Sequence, residues 1–136
     1  YGTTLSFAII HKKQLVLGQI GDGMLLVTNG DENINLMDMD EFYSAETYAL
    51  SEMVRKSSFN VLCENVCGSI SIVAMTDGIG KEIAVENIED FKSALFELAR
   101  KEKTDVEIEF EEWITHLNEK NDDDKTIGVL ILEEEA

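Results

Sequence analysis

Aspartates stand at three turns of the sequence, each next to a predicted strand. Two of them adjoin glycine, in Gly21-Asp22-Gly23 and in Thr76-Asp77-Gly78, and the third lies in the run Asp122-Asp123-Asp124. Glycine beside an aspartate lets the backbone turn sharply, so the carboxylate can point off the edge of a sheet. Hard cations such as Mg²⁺ and Mn²⁺ take oxygen ligands, which carboxylates supply. If the three turns converge in the fold, the sequence predicts a site for a divalent cation.

Each of these turns, taken alone, is more typical of ordinary structure. Asp-Gly is a common tight turn, and an Asp run is a common solvated loop. A calcium loop of the EF-hand kind, which the acidic alternation at residues 31–35 suggests, is excluded. Its sixth and twelfth positions would be Leu36 and Phe42, where the motif needs Gly and Glu. The order of the three turns therefore carries more weight than any one of them.

The two cysteines, Cys63 and Cys67, have no Cys or His beside them in sequence. A structural zinc site needs further ligands of these types nearby. We interpret both as reduced thiols without a metal or redox role, and a disulfide across the predicted hairpin stays open.

Charge and length limit the kinds of partner. The formal net charge is −17 over 136 residues, and a negative field of this size repels phosphate backbones and anionic lipids. Neither nucleic acid nor a membrane is expected as a partner. No apolar run reaches the roughly 20 residues of a membrane helix, and the sequence opens in strand-like residues without a basic and apolar leader. These features favour one soluble domain in the cytoplasm.

The elements that would position the aspartates follow from periodicity. Alternating apolar residues and turn residues predict a meander of strands at residues 4–10, 14–20, 24–28 and 34–36, then strands at 59–63, 69–75 and 126–132. Residues 37–58 are predicted as a long excursion with one helical turn at 48–54. Spacings of three and four predict two helices, one through Ile88, Phe91, Leu95 and Leu98 with Asn87 as its cap, the other through Phe110, Trp113, Ile114 and Leu117. Trp113 is interpreted as a core anchor, and the fold class is α+β.

In this order, the motifs resemble the later half of the type 2C protein serine/threonine phosphatases. That half runs from a Gly-Ser/Thr-Thr strand opening through a Gly-Asp-Ser/Gly turn and a Ser/Thr-Asp-Gly turn to helices and an Asp-Asn/Asp-x-Thr/Ser-Val/Ile strand. The matching segments begin at Gly2, at Gly21, at Val73 and at Asp123. The resemblance spans the chain from Gly2 to Leu132, and its compact turns look like those of a bacterial member.

The resemblance implies a four-layer α/β/β/α sandwich of two antiparallel sheets with a two-metal centre at one edge. It implies hydrolysis of phosphoserine or phosphothreonine in a protein substrate by a water that Mn²⁺ or Mg²⁺ activates. By motif, Asp77 and Asp123 would be metal ligands, and Asp22 a ligand of a third metal or else only part of a hairpin turn. Asp123 lies three residues before Thr126, as in the family pattern, whereas a one-residue shift of the loop would place Asp122 or Asp124 there.

The family's amino-terminal half carries an Asp-Gly-x-Gly motif whose aspartate bridges the metals, and no such motif precedes Gly2. We therefore expect residues 1–136 to be the carboxy-terminal portion of the domain and to be inactive alone. An exposed apolar sheet face should then make the fragment self-associate. The alternative is a catalytically inactive, phosphatase-like module that binds proteins.

Overall fold

The structure is a computed structural model, and it describes residues 4–37 and 60–134. Seven strands lie in this part of the chain: β1 (Leu5–His11), β2 (Gln14–Ile20), β3 (Met24–Asn29), β4 (Glu32–Met37), β5 (Asn60–Asn65), β6 (Ile70–Met75) and β7 (Ile127–Leu132). They form two antiparallel sheets. Sheet I has the order β1-β2-β5, and sheet II has the order β4-β3-β6-β7. The predicted helical turn at 48–54 lies outside the described residues.

The predicted meander is wrong at the Gly21-Asp22-Gly23 turn. Strand β2 pairs with β1 on one side and β5 on the other, so the turn carries the chain from sheet I to sheet II. Gly21 has a φ of 100°, which favours glycine. A Cβ added at Gly23 would lie 3.2 Å from the Met75 carbonyl oxygen. Glycines therefore serve a close crossing between sheets here rather than a hairpin.

The main core lies between the two sheets. Alternate residues of β2, β3 and β6 meet there, and the buried members of this cluster are Leu15, Leu17, Leu25, Val27, Ile34, Ile70 and Ile72. Because side chains alternate across a strand, the next residues of sheet I point the other way. This outer face of sheet I includes Leu5, Phe7, Ile9, Val16 and Val61. Leu5, Ile9 and Val61 are 39%, 54% and 59% exposed.

Three α-helices follow β6: α1 (Asp77–Gly80), α2 (Ile88–Ala99) and α3 (Lys103–Asn118), with a short 3₁₀ helix, Val85–Asn87, directly before α2. They cover the other face of sheet II in a second apolar cluster, whose buried members are Leu26, Val73, Met75, Ile79, Ile88, Leu95 and Leu117. The Trp113 ring packs 5.4 Å from Phe91 and 6.1 Å from Phe110, which confirms its packing role. Asn87 is the first residue before α2, but its side chain makes no cap hydrogen bond. The α+β class is confirmed, with sheet I, sheet II and the helices as successive layers.

Lys92 ties α2 to sheet II through its buried ammonium group. Its Nζ donates to the Val27 carbonyl at 3.2 Å, to Asn33 Oδ1 at 3.2 Å and to Asn35 Oδ1 at 3.1 Å. Glu89, one helical turn earlier, has a carboxylate oxygen 3.5 Å away. Burial lowers the pKa of Lys92, and the Glu89 charge offsets only part of that effect. In the described residues no helix is long and apolar enough to cross a membrane.

Candidate metal centre

The register of sheet II brings the three aspartate turns to one end of the sheet. Met75 pairs with Met24 on one side and with Ile127 on the other. Asp22 lies two residues before Met24, and Asp77 lies two residues after Met75. Asp123 lies four residues before Ile127. We call this end of sheet II the aspartate edge, since all three predicted site residues are found there.

Thr76 follows the last residue of strand β6, and its hydroxyl joins this end of the strand to the segment before β7. The Thr76 amide donates to the Thr126 carbonyl at 3.0 Å, and the Thr126 amide donates to Thr76 Oγ1 at 3.0 Å. Thr76 Oγ1 also donates to the Asp124 carbonyl at 3.2 Å. The chain then turns into α1, so Asp77 stands in the first turn of a short helix. This replaces the simple turn that the sequence predicted.

Gly78 sets how closely the Asp122-Asp123-Asp124 run approaches α1. It is buried, and a Cβ added there would lie 3.1 Å from Asp123 Cβ and closer still to the Asp124 carbonyl oxygen. Any other residue would push the loop away from α1. The glycine of the Thr-Asp-Gly motif is therefore required by packing between the two acidic segments, which brings Asp77 and Asp123 to one place.

Asn121 holds the loop in this position. Its Nδ2 donates to the Gly78 carbonyl at 3.2 Å and to Glu82 Oε1 at 2.7 Å, and its Oδ1 accepts from the Asp123 amide at 3.1 Å. Lys125 Nζ donates to the carbonyls of Asn121 and Asp123 at 2.9 and 2.8 Å. The backbone of Asp123 is thus fixed from both sides, while its carboxylate remains half exposed.

Lys81 Nζ donates a hydrogen bond to the Asp123 carboxylate and forms an ion pair with it. This contact raises the pKa of Lys81, to which the charge of Asp77 adds. The hydrogen bond from Lys81 lowers the pKa of Asp123, and the charges of Lys81 and Lys125 lower it further. Sequence reasoning missed Lys81. The available signal was its position four residues after Asp77, one helical turn along α1.

The residues at the aspartate edge fit part of a hard-cation site. Asp77 and Asp123 supply carboxylate oxygens from two segments that pack on each other at Gly78. Among the described residues, however, no group of three His, Cys, Asp or Glu side chains lies close enough to hold a metal. Asp22 reaches the same edge from the crossing between sheets. The assignment of these three aspartates as metal ligands stays a prediction.

Cys63 and Cys67 lie away from the aspartate edge. Both thiols are free and exposed, so the disulfide that the sequence left open is not formed in the structure. Cys67 Sγ donates to the Asn65 carbonyl at 3.5 Å, and the Cys67 amide donates to Asn29 Oδ1 at 2.8 Å. The cysteine at position 67 thus belongs to the connection between β5 and β6.

Solved structures with the same arrangement of sheets and helices are bacterial phosphatases. The chain superposes on the catalytic domain of the serine/threonine phosphatase PstP, crystallised with 2 manganese ions, with a TM-score of 0.61 and 17% identity, covering 96% of this chain and 57% of that one. For the phosphatase domain of SpoIIE from Bacillus subtilis the TM-score is 0.60 and the identity 14%, over 98% and 58% of the chains. For PppA, a regulatory component of T6SS in Pseudomonas aeruginosa, the TM-score is 0.62 and the identity 15%, covering 98% of this chain and 58% of that one. At these identities the likeness concerns the fold.

The chain thus shares the two-sheet fold of these solved structures. A family model described as protein phosphatase 2C matches residues 1–117. The chain belongs to the protein phosphatase 2C family. A search of curated proteins found no significant match. The chain spans 57–58% of the length of the three solved structures above.

Proposed function

We propose that this chain is the carboxy-terminal portion of a phosphatase 2C domain, which hydrolyses phosphoserine or phosphothreonine in proteins with the help of Mn²⁺ or Mg²⁺. The observation that carries the proposal is the packing of the Asp123 segment on α1 at Gly78, which brings Asp123 and Asp77 together at the aspartate edge. The family match and the shared fold support the same reaction class.

In this proposal Asp77 and Asp123 hold the cation, and Asp22 contributes to a further, weaker position. When bound, divalent cations supply an activated water and charge stabilisation for phosphoryl transfer. Thr76 and Asn121 hold the two acidic segments together through hydrogen bonds to the Asp124 and Gly78 carbonyls, which do not use either carboxylate. These hydrogen bonds fix the backbones of both segments without occupying the carboxylates, as a metal centre requires, and the Asp123 carboxylate is paired instead with Lys81.

A second candidate is a catalytically inactive, phosphatase-like module that binds proteins. It is favoured by the Lys81 ammonium, which already neutralises the Asp123 carboxylate. It is also favoured because the described residues contain no group of three metal-ligating side chains. A permanent lysine counter-ion would let the fold persist without metal. The two candidates differ in whether the full natural chain hydrolyses phosphopeptides when divalent cations are present.

We also propose partners for this chain, from its family and its charge, and a cellular location. The substrate is a phosphorylated protein, and the protein acts in the cytoplasm. Residues 1–136 self-associate through the outer face of sheet I, since Leu5, Ile9 and Val61 leave apolar surface exposed there. The negative charge of the chain makes nucleic acid and anionic membranes poor partners.

The test is hydrolysis of a phosphothreonine peptide by the full natural chain, with Mn²⁺ and with a chelator. We expect activity only with the cation, and a loss of at least about 100-fold in Asp77→Asn and in Asp123→Asn, since each removes a charged ligand. Asp122→Asn is the matched control, because it removes the same charge from a neighbouring exposed residue. Activity of the two site variants near that of the control, with the fold intact, would show that Asp77 and Asp123 are not the metal ligands. Absence of hydrolysis by the wild-type chain with Mn²⁺ would favour the binding module.

A further inference from the structure

We propose that Lys81 is a positioning residue of the metal centre, holding the Asp123 carboxylate against α1 when no cation is bound and competing with the cation for that carboxylate. The inference rests on the proposed function, because it takes Asp123 as a metal ligand. It assigns a role to a residue that the site motifs do not include.

The position of Lys81 is fixed relative to Asp77 by the backbone of α1. The Lys81 amide donates to the Asp77 carbonyl at 2.9 Å, closing the helical turn that starts at Asp77. From the end of this turn the side chain reaches the Asp123 carboxylate. Lys81 therefore bridges the two acidic segments, and its charge reduces the repulsion between the carboxylates that they bring together.

The contact can be exchanged for a cation. The Lys81 side chain is 42% exposed and that of Asp123 is 50% exposed, so the ammonium can turn into solvent. Ion pairs at such exposed positions are weak. A divalent cation at Asp123 would take the place of the ammonium and repel it, because both charges are positive. Binding of the cation must therefore displace Lys81, and this displacement lowers the apparent affinity.

Lys125 differs from Lys81 although it lies in the same loop. Its Nζ is bound to two backbone carbonyls, those of Asn121 and Asp123, and leaves the Asp123 carboxylate to Lys81. Lys125 thus supports the loop whether or not a cation is present. Lys81 is the lysine that contacts the carboxylate itself.

Replacing Lys81 with methionine has two consequences of opposite sign. Without metal, Asp77 and Asp123 lose the charge between them, so the metal-free protein becomes less stable. With metal, the competitor is gone, so the cation binds more tightly, by roughly three- to tenfold. If Lys81 had only a structural role, replacing it would lower both the stability of the metal-free protein and its affinity for the cation. The opposed signs therefore distinguish a competitor from a simple support.

The experiment measures Mn²⁺ affinity by calorimetry, and thermal unfolding without metal, on the full natural chain. Lys81→Arg should keep the wild-type affinity within about twofold, since it keeps the positive charge. Lys101→Met is the matched control, because Lys101 forms an ion pair with Glu109 at 2.6 Å on α3 and the substitution changes the net charge equally. We expect Lys81→Met to combine tighter Mn²⁺ binding with a lower metal-free unfolding temperature, whereas Lys101→Met should leave the Mn²⁺ affinity unchanged.

Two results would overturn the inference, and they separate it from the proposed function. If wild type binds Mn²⁺, Asp123→Asn weakens the binding, and Lys81→Met binds no more tightly than Lys101→Met, then Lys81 is no competitor while the metal site stands. If Asp123→Asn leaves Mn²⁺ affinity unchanged, or if no variant binds Mn²⁺, both the metal site and the role of Lys81 are wrong.

Discussion

Replacing Lys92 with methionine removes a buried ammonium while keeping most of the side-chain stem. In the wild type this group makes three hydrogen bonds, at 3.1 to 3.2 Å, to sheet II. Asn33 is exposed and Asn35 half-buried, so these two acceptors can turn to water instead. The Val27 carbonyl cannot do so as readily, because Val27 lies within the central part of the sheet.

The magnitude follows from which contacts are lost. A hydrogen bond from a charged group contributes about 1.5–3 kcal/mol, and the variant no longer buries the ammonium, which offsets part of that loss. We therefore expect Lys92→Met to lower the free energy of unfolding by about 1–2 kcal/mol. Lys92→Ala removes about three buried methylene groups as well, at about 0.8 kcal/mol each. Its loss should exceed that of the methionine variant by roughly 2 kcal/mol.

The lowered pKa of Lys92 makes the free energy of unfolding depend on pH. Burial lowers the pKa of Lys92 from its ordinary value of 10.5. Between the lowered value and 10.5, the unfolded chain binds a proton that the folded chain does not, so stability rises with pH in this window. The free energy of unfolding is thus highest, as far as Lys92 is concerned, above about pH 10.5, where the amine is neutral in both states. This stabilisation is lost as the pH falls through the folded pKa, because the folded state must then bury the charge. The difference between wild type and Lys92→Met should therefore grow as the pH rises through the window between the folded pKa of Lys92 and 10.5.

Urea unfolding of the three proteins, followed by circular dichroism at several pH values, checks this reasoning. The alanine variant serves as the reference for the stem, and the methionine variant for the charge. If Lys92→Met unfolds at the same urea concentration as wild type at every pH, the ammonium contributes nothing to the attachment of α2. The account of Lys92 as a tether would then be wrong.

Three further predictions concern separate parts of the chain. Cys63→Ser together with Cys67→Ser should leave Mn²⁺ affinity and phosphatase activity unchanged, and a tenfold loss of activity in the peptide assay would contradict this. Gly78→Ala should lower stability by roughly 1–3 kcal/mol and weaken Mn²⁺ binding, because its Cβ meets the loop at Asp123; unchanged urea unfolding would refute the close packing. Light scattering should show residues 1–136 self-associating, and replacing Ile9, on the outer face of sheet I, with Lys should reduce this association; a monomer that binds no hydrophobic dye would argue against it.

The strands were predictable wherever local alternation was clear. The prediction for residues 14–20 coincides with β2 (Gln14–Ile20). At the last strand the prediction began one residue early, since the Thr126 amide bonds to the Thr76 hydroxyl instead of a ladder carbonyl. Periodicity shows which residues alternate, but it does not show which strand becomes the neighbour. The crossing at residues 21–23 was therefore read as a hairpin, although it joins the two sheets.

The placement of the aspartates was predictable for a similar reason, while their contacts were not. Turns that follow or precede neighbouring strands must lie at the sheet ends, so Asp77 and Asp123 share an edge. The ion pair with Lys81 depends on how the loop packs on α1, which depends in turn on Gly78 and Asn121. Such tertiary contacts leave no local pattern, and so Lys81 was missed.

Anomalous X-ray scattering from crystals of the full natural chain soaked in Mn²⁺ would show whether Asp77 and Asp123 bind a metal. We expect a manganese peak at coordination distance from both carboxylates, with the Lys81 ammonium turned away from Asp123. A crystal saturated with Mn²⁺ that shows no peak at the aspartate edge, with Lys81 still paired to Asp123, would contradict it.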